Sequence, residues 1–191
     1  MRKFCLSLAV GLAAAAPLAQ AAVVNFDNPA VVDINNDTGR ATYREAGFAL
    51  SSVAADFLPL DGIGTGGSGG LLLLAGSTLS IMADGGGPFS FSGLDAGPFD
   101  SANPTTLNVT GVFSDMTQMD LMLPLTGFGT NSLSTWSGLT ELRFVANGDV
   151  AVDNLVLSPV PEPGSLPMLM LGLGAVCMLQ RSRRRRPGAG E

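Results

Sequence analysis

The chain has 191 residues, with 10 Lys/Arg against 16 Asp/Glu, a formal net charge of −6 and no histidine. The missing histidine excludes a Ser-His-Asp arrangement, an imidazole general base and every His-containing zinc site. The two cysteines (Cys5, Cys177) and the one lysine (Lys3) lie near the ends, so thiol, disulfide and Schiff-base chemistry are excluded from the middle.

The first element is a transit segment. Arg2 and Lys3 form a positive n-region, Phe4–Ala16 an apolar h-region, and Ala19-Gln20-Ala21 a small-residue cleavage site. Residues 1–21 read as a cleavable signal helix, cut by signal peptidase so that the mature chain starts at Ala22. From Ala22 to Pro159 the bases are Arg40, Arg44 and Arg143 against 14 acids, a net of −11. Such a surface repels nucleic acid and anionic lipid and favours solubility outside the cell. For most of these acids a solvated surface is reading enough.

Residues 22–158 read as one β-domain, long enough for a core. Val23–Phe26 is a first strand and Gly47–Val53 another. Asp33, Asn35, Asn36 and Asp37 form an acidic turn with Gly39. As a calcium loop it fails, because the twelfth position is Arg44 and not glutamate. Gly64-Thr65-Gly66-Gly67-Ser68-Gly69 matches G-x-G-x-x-G, but without a strand–helix context it reads as a surface loop. Leu71–Leu74 and Thr78–Met82 are short apolar runs whose Ala75-Gly76-Ser77 link suggests a hairpin. Phe89–Ser92, Thr105–Phe113 and Glu141–Ala146 alternate apolar and polar, and Gln118–Leu123 is mixed. Asn147-Gly148 is a two-residue hairpin signal before a closing strand, Asp149–Leu157. About nine or ten short strands predict an all-β, two-sheet sandwich, jelly-roll-like, with its first and last strands near each other.

The candidate site residues are few. Asn25-Phe26-Asp27 in the first strand and Val152-Asp153-Asn154-Leu155 in the last resemble the termini of jelly-roll carbohydrate-binding modules. That resemblance implies a structural Ca²⁺ held by Asp27 and Asp153. Asp153 is in phase with Leu155 and Leu157, so it is expected to point inward, where a carboxylate needs a partner. Two short motifs fall short of six to eight oxygen ligands, and the plainer expectation is that Asp153 and Asn154 cap a turn or face solvent. Trp136, Tyr43 and Phe128 are candidate aromatics for sugar stacking, with Trp136 the first choice for ligand binding. Covering one end of the core is an equal reading of Trp136. Asp95 and Asp100 are of the type a two-carboxylate glycosidase needs, but no spacing singles them out. No catalytic residue is assigned.

The chain closes with a Pro-rich linker (159–164), an apolar segment (165–180) and a basic tail (181–191). As a helix, the apolar run Ser165–Leu179 spans roughly 22 Å, short of the ~30 Å hydrocarbon core. Arg181, Arg183, Arg184, Arg185 and Arg186 follow as stop-transfer charges that favour a cytoplasmic tail. Segment and charge alone fit an ordinary membrane anchor equally well. Pro161-Glu162-Pro163 directly before them decides the reading, for the three parts together resemble the PEP-CTERM sorting signal of Gram-negative bacteria. The resemblance implies processing by a membrane-embedded exosortase, transient inner-membrane anchoring and a final place at the cell surface or outside it. It also implies association with extracellular polysaccharide and biofilm matrix. The expected function is a non-enzymatic, surface-sorted protein. The alternative is a carbohydrate-binding module with a defined glycan, and third a polysaccharide-degrading enzyme, disfavoured by the absence of His and Lys.

Overall fold

The structure, a computed structural model, describes residues 21–27 and 32–160. The expected signal helix, the Pro161-Glu162-Pro163 motif, the apolar helix and the arginine tail lie outside the described residues. Among the described residues no helix is long and apolar enough to cross a membrane.

The domain is all-β. Its strands are β1 (Ala22–Val24), β2 (Val32–Asn35), β3 (Arg40–Glu45), β4 (Phe48–Val53), β5 (Phe57–Leu60) and β6 (Gly70–Leu73). They continue with β7 (Thr78–Ala83), β8 (Phe89–Pro98), β9 (Thr105–Phe113), β10 (Gln118–Leu125), β11 (Gly129–Ala146) and β12 (Val150–Pro159). All pair antiparallel in one curled sheet.

Two layers arise because β11 runs through both. Its second half, Leu139–Ala146, pairs with β9 on one side and, over Leu142–Val145, with β7 on the other. One layer therefore runs β2-β3-β4-β7-β11-β9-β10. Its first half, Gly129–Leu139, pairs with β8, which leads to β12, then to β6 and β5, with β1 alongside β12. Aromatic pairs close the layers on each other. Phe48 of β4 meets Phe89 of β8 edge-on at 5.5 Å, and Phe91 of β8 meets Phe144 of β11 at 6.0 Å. Each buried aromatic ring removes on the order of 150–250 Å² from water, so these contacts carry much of the hydrophobic stabilisation.

Two expected hairpins are absent. β6 pairs with β5 and β12, whereas β7 pairs with β4 and β11, so Ala75-Gly76-Ser77 passes from one layer to the other. Asn147-Gly148 does the same between β11 and β12. Neither residue has the positive φ that a two-residue hairpin turn requires. The acidic turn at residues 36–39 is a turn, and it joins the unforeseen strands β2 and β3. The first and last strands do meet, with Ala22–Val24 opposite Leu157–Leu155.

Candidate functional site

β8 and β12 carry the polar chemistry. Asp95 of β8 lies directly opposite Asp153 of β12. Along β12, Val150 and Val152 point into the core, so Asp153 shares the other face with Ala151. A bulge follows, with Asn154 at φ 49°, and it resets the phase so that Leu155 and Leu157 return to the core. The alternation pattern could not show this shift. Asp153 is fully buried and Asp95 is 6% exposed, yet neither lies in the apolar core.

What covers them is the Gly64–Gly69 loop. Asp153 Oδ2 accepts the Thr65 N–H at 2.8 Å, the Ser68 hydroxyl at 2.9 Å and the Asn154 side-chain amide at 3.2 Å. Its Oδ1 accepts the Asn154 backbone N–H at 2.7 Å. Asp95 Oδ2 accepts the Thr65 hydroxyl at 2.5 Å and the Asn154 side-chain amide at 2.8 Å. Burial pushes the Asp95 carboxyl upward, but hydrogen bonds from Thr130, Thr65 and Asn154 outweigh it and hold its pKa below the ordinary carboxylate value. Glycine is required in this loop for two reasons. A Cβ on Gly64 would collide with the Gly69 carbonyl and Asp153 Oδ2, and Gly66 and Gly67 sit at φ 67° and 87°. The glycine-rich motif is thus a clasp over two carboxylates.

Asp27 holds the same loop from the other terminus, its Oδ1 accepting the Gly69 N–H at 2.9 Å. Glu45 secures the neighbouring backbone. Its Oε2 accepts the Asn25 and Phe26 N–H groups at 3.1 Å each and the Tyr43 hydroxyl at 3.0 Å. Burial, then the Glu45 carboxylate, raises the Tyr43 pKa well above the usual phenol range.

The implied calcium can be tested against this geometry. Asp153 and Asp27 are brought to one loop, as the resemblance implies, but their oxygens receive N–H and O–H donors. Backbone N–H groups of Thr65, Gly69 and Asn154 donate to Asp153 Oδ2, Asp27 Oδ1 and Asp153 Oδ1 in turn. The donor set does not fit a Ca²⁺ bridging Asp27 and Asp153, which would need six to eight free oxygens. Hydrogen bonds through the loop tie the two termini instead. Among the described residues no three His, Cys, Asp or Glu side chains cluster as a metal group.

The same two strands end at an open cleft of about 310 Å³, lined by Asp100, Asn103, Pro104, Thr105, Asn147, Gly148 and Asp149. Asp149 precedes β12, and its carbonyl accepts the Phe99 N–H at 2.9 Å, just beyond the end of β8. Asp149 Oδ1 accepts the Ala75 N–H at 2.9 Å, and Asp100 accepts Ala102 N–H at 3.0 Å and Asn103 Nδ2 at 2.5 Å. Asn147 Nδ2 donates to Thr106 Oγ1 at 2.6 Å. One N–H of each amide is therefore engaged with the protein, while Asp149 Oδ2 and the Asn103 and Asn147 amide oxygens have no side-chain partner among the described residues. None of Arg40, Arg44 and Arg143 lines the cleft. Arg44 pairs with Asp84, Arg143 with Glu141 at 2.5 Å, and Arg40 donates to Ser51. The cleft is rich in acceptors and suits a ligand that donates hydroxyl hydrogens.

The aromatic candidates divide. Trp136 is 6% exposed and packs edge-on against Phe91 at 6.3 Å, so it covers the core and offers no surface platform. Tyr43 is also buried, whereas Phe128 is 39% exposed. Asp95 and Asp100 are not brought together, one lying under the clasp and the other in the open cleft.

No curated protein matches the sequence. Among solved structures, the CBM22-1 xylan-binding domain of Paenibacillus barcinonensis Xyn10C is similar at 11% identity and a TM-score of 0.43, over 76% of this chain and 98% of that one. The CBM22-1–GH10 modules of Clostridium thermocellum Xyn10B are similar at 12% identity and a TM-score of 0.41. That match covers 73% of this chain but spans only 28% of the other. A family 6 module, CsCBM6-3 of Clostridium stercorarium, is similar at 20% identity and 0.36, over 57% of this chain and 86% of that one. At these values no site residue is carried across. The sequence match lies at the C-terminal end: residues 159–186 match the PEP-CTERM protein-sorting motif, a signal that implies export and exosortase processing.

Proposed function

We propose that the mature domain is an exported, surface-sorted, non-enzymatic protein that associates with extracellular polysaccharide. The observation that carries this reading is the join between fold and address. The sorting motif begins at Pro159, which is also the last residue of β12. Mass spectrometry of the surface fraction from the host tests it. The expected product lacks Arg186, and an intact Arg186 in surface-exposed protein contradicts the sorting.

A defined glycan ligand is the second reading, supported by the cleft at Asp100, Asn147 and Asp149. An acceptor-rich cleft in a domain of net −11 favours neutral sugars over uronic ones, by hydroxyl donation and by charge. A glycan array with wild type and Asn147→Ala tests this reading, and binding of neutral glycans by the wild type alone is expected. The non-enzymatic part draws on the burial of the directly opposed carboxylates Asp95 and Asp153. Release of reducing ends from exopolysaccharide, lost in Asp100→Ala or Asp149→Ala, would replace binding by hydrolysis.

A further inference from the structure

We propose that the fold itself gates C-terminal processing, through the last rungs of β12; this rests on the sorting reading above. Pro159 opens the sorting motif while still paired with Phe89 of β8. The next residue, Val160, is also tied to the domain, its N–H donating to Pro88 O at 2.9 Å. Pro161, Glu162 and Pro163 follow at once, so the motif lies within roughly 10 Å of chain from this hydrogen bond of Val160.

One recurring way to bind a peptide segment is as an added strand, which takes up its backbone N–H and C=O groups. Here those groups upstream of the motif already belong to the sheet. Leu157, Ser158 and Pro159 are opposite Phe91, Ser90 and Phe89 of β8, and Leu157 is also opposite Ala22 of β1. A domain of this size has a radius of gyration of about 14 Å, more than the short tether can hold clear of a membrane-embedded enzyme. Presentation of the motif therefore requires the rungs at Ser158, Pro159 and Val160 to open. The opening stops at Leu157, whose side chain is fully buried and resists exposure. Ala22, expected as the first mature residue, shares that rung, so the two processed ends of the domain meet at one point of the sheet.

The test is pulse–chase conversion of the full-length precursor in its host. Inserting six Gly/Ser residues between Val160 and Pro161 supplies a flexible tether of roughly 13 Å and is expected to speed conversion at least about threefold, with the melting temperature unchanged. A Ser90→Cys, Ser158→Cys pair is placed to form a cross-strand disulfide. When oxidised it is expected to slow conversion, and reductant should restore the rate. Conversion of both variants at the wild-type rate, with the disulfide confirmed, overturns the gate. Retention of Arg186 by every variant and by wild type overturns the sorting reading beneath it.

Discussion

β8 and β12 carry two aspartate pairs that differ in everything except residue type. Asp95 and Asp153 face each other under the Gly64–Gly69 loop, while Asp100 and Asp149 sit where the same two strands end. Along β12 the two positions are four residues apart, or about 13 Å of strand. The inner pair is buried and meets N–H and O–H donors from Thr65, Ser68 and Asn154. The outer pair is exposed, and beside it amide oxygens and Asp149 Oδ2 remain for an external donor. Environment, then, divides structural carboxylates from candidate binding ones. Net charge cannot.

The sharpest way to break this division is Asp153→Ala. The fully buried Asp153 carboxylate accepts part-buried donors from Thr65, Ser68 and Asn154, and with it gone a stability loss of about 3 kcal/mol is expected, read from urea or thermal unfolding. Gly64→Ala should cost about 2 kcal/mol, because its Cβ would drive the loop off Gly69 and Asp153. Acid should act on the same clasp. Asp95 has a folded pKa below its unfolded value, so its contribution is present above the ordinary carboxylate range and is lost as pH falls through the folded value. The melting temperature should therefore decline below about pH 4, and the decline should be shallower in Asp95→Asn. By contrast, Asp149→Ala should change stability by less than about 1 kcal/mol, since its side chain is exposed and accepts one hydrogen bond. The smallest expected effect is that of calcium. Millimolar Ca²⁺ should leave the melting temperature unchanged, and a rise that Asp153→Ala abolishes would restore the calcium reading.

Much of the fold was legible because strands such as Thr105–Phe113 alternate cleanly and their buried face is continuous. The β architecture, the meeting of first and last strands and the sorting motif were all readable. Layer assignment was not. A turn such as Asn147-Gly148 looks the same whether its flanking strands pair or part, and its backbone dihedrals decide which. The first half of β11 was missed because its Ser- and Thr-rich run carries few apolar residues, Trp136 among them. That polar company also made Trp136 look like a surface aromatic, whereas its ring packs on Phe91. As for the clasp, Gly64–Gly69 was recognisable as special, but its partners lie 30 and 88 residues away from Thr65, at Asp95 and Asp153. Asp153 alternates with Val152 and so faces the loop, but the bulge at Asn154 returns Leu155 and Leu157 to the core, and no periodicity signals a bulge.

The division between the two aspartate pairs is tested most directly by calorimetric titration of neutral exopolysaccharide into the released domain, comparing wild type with an Asn147→Ala, Asp149→Ala double variant. The double variant is expected to stay folded with a cooperative unfolding transition and to lose binding by at least about tenfold, or about 1.4 kcal/mol. Undiminished binding by a folded double variant would contradict the division.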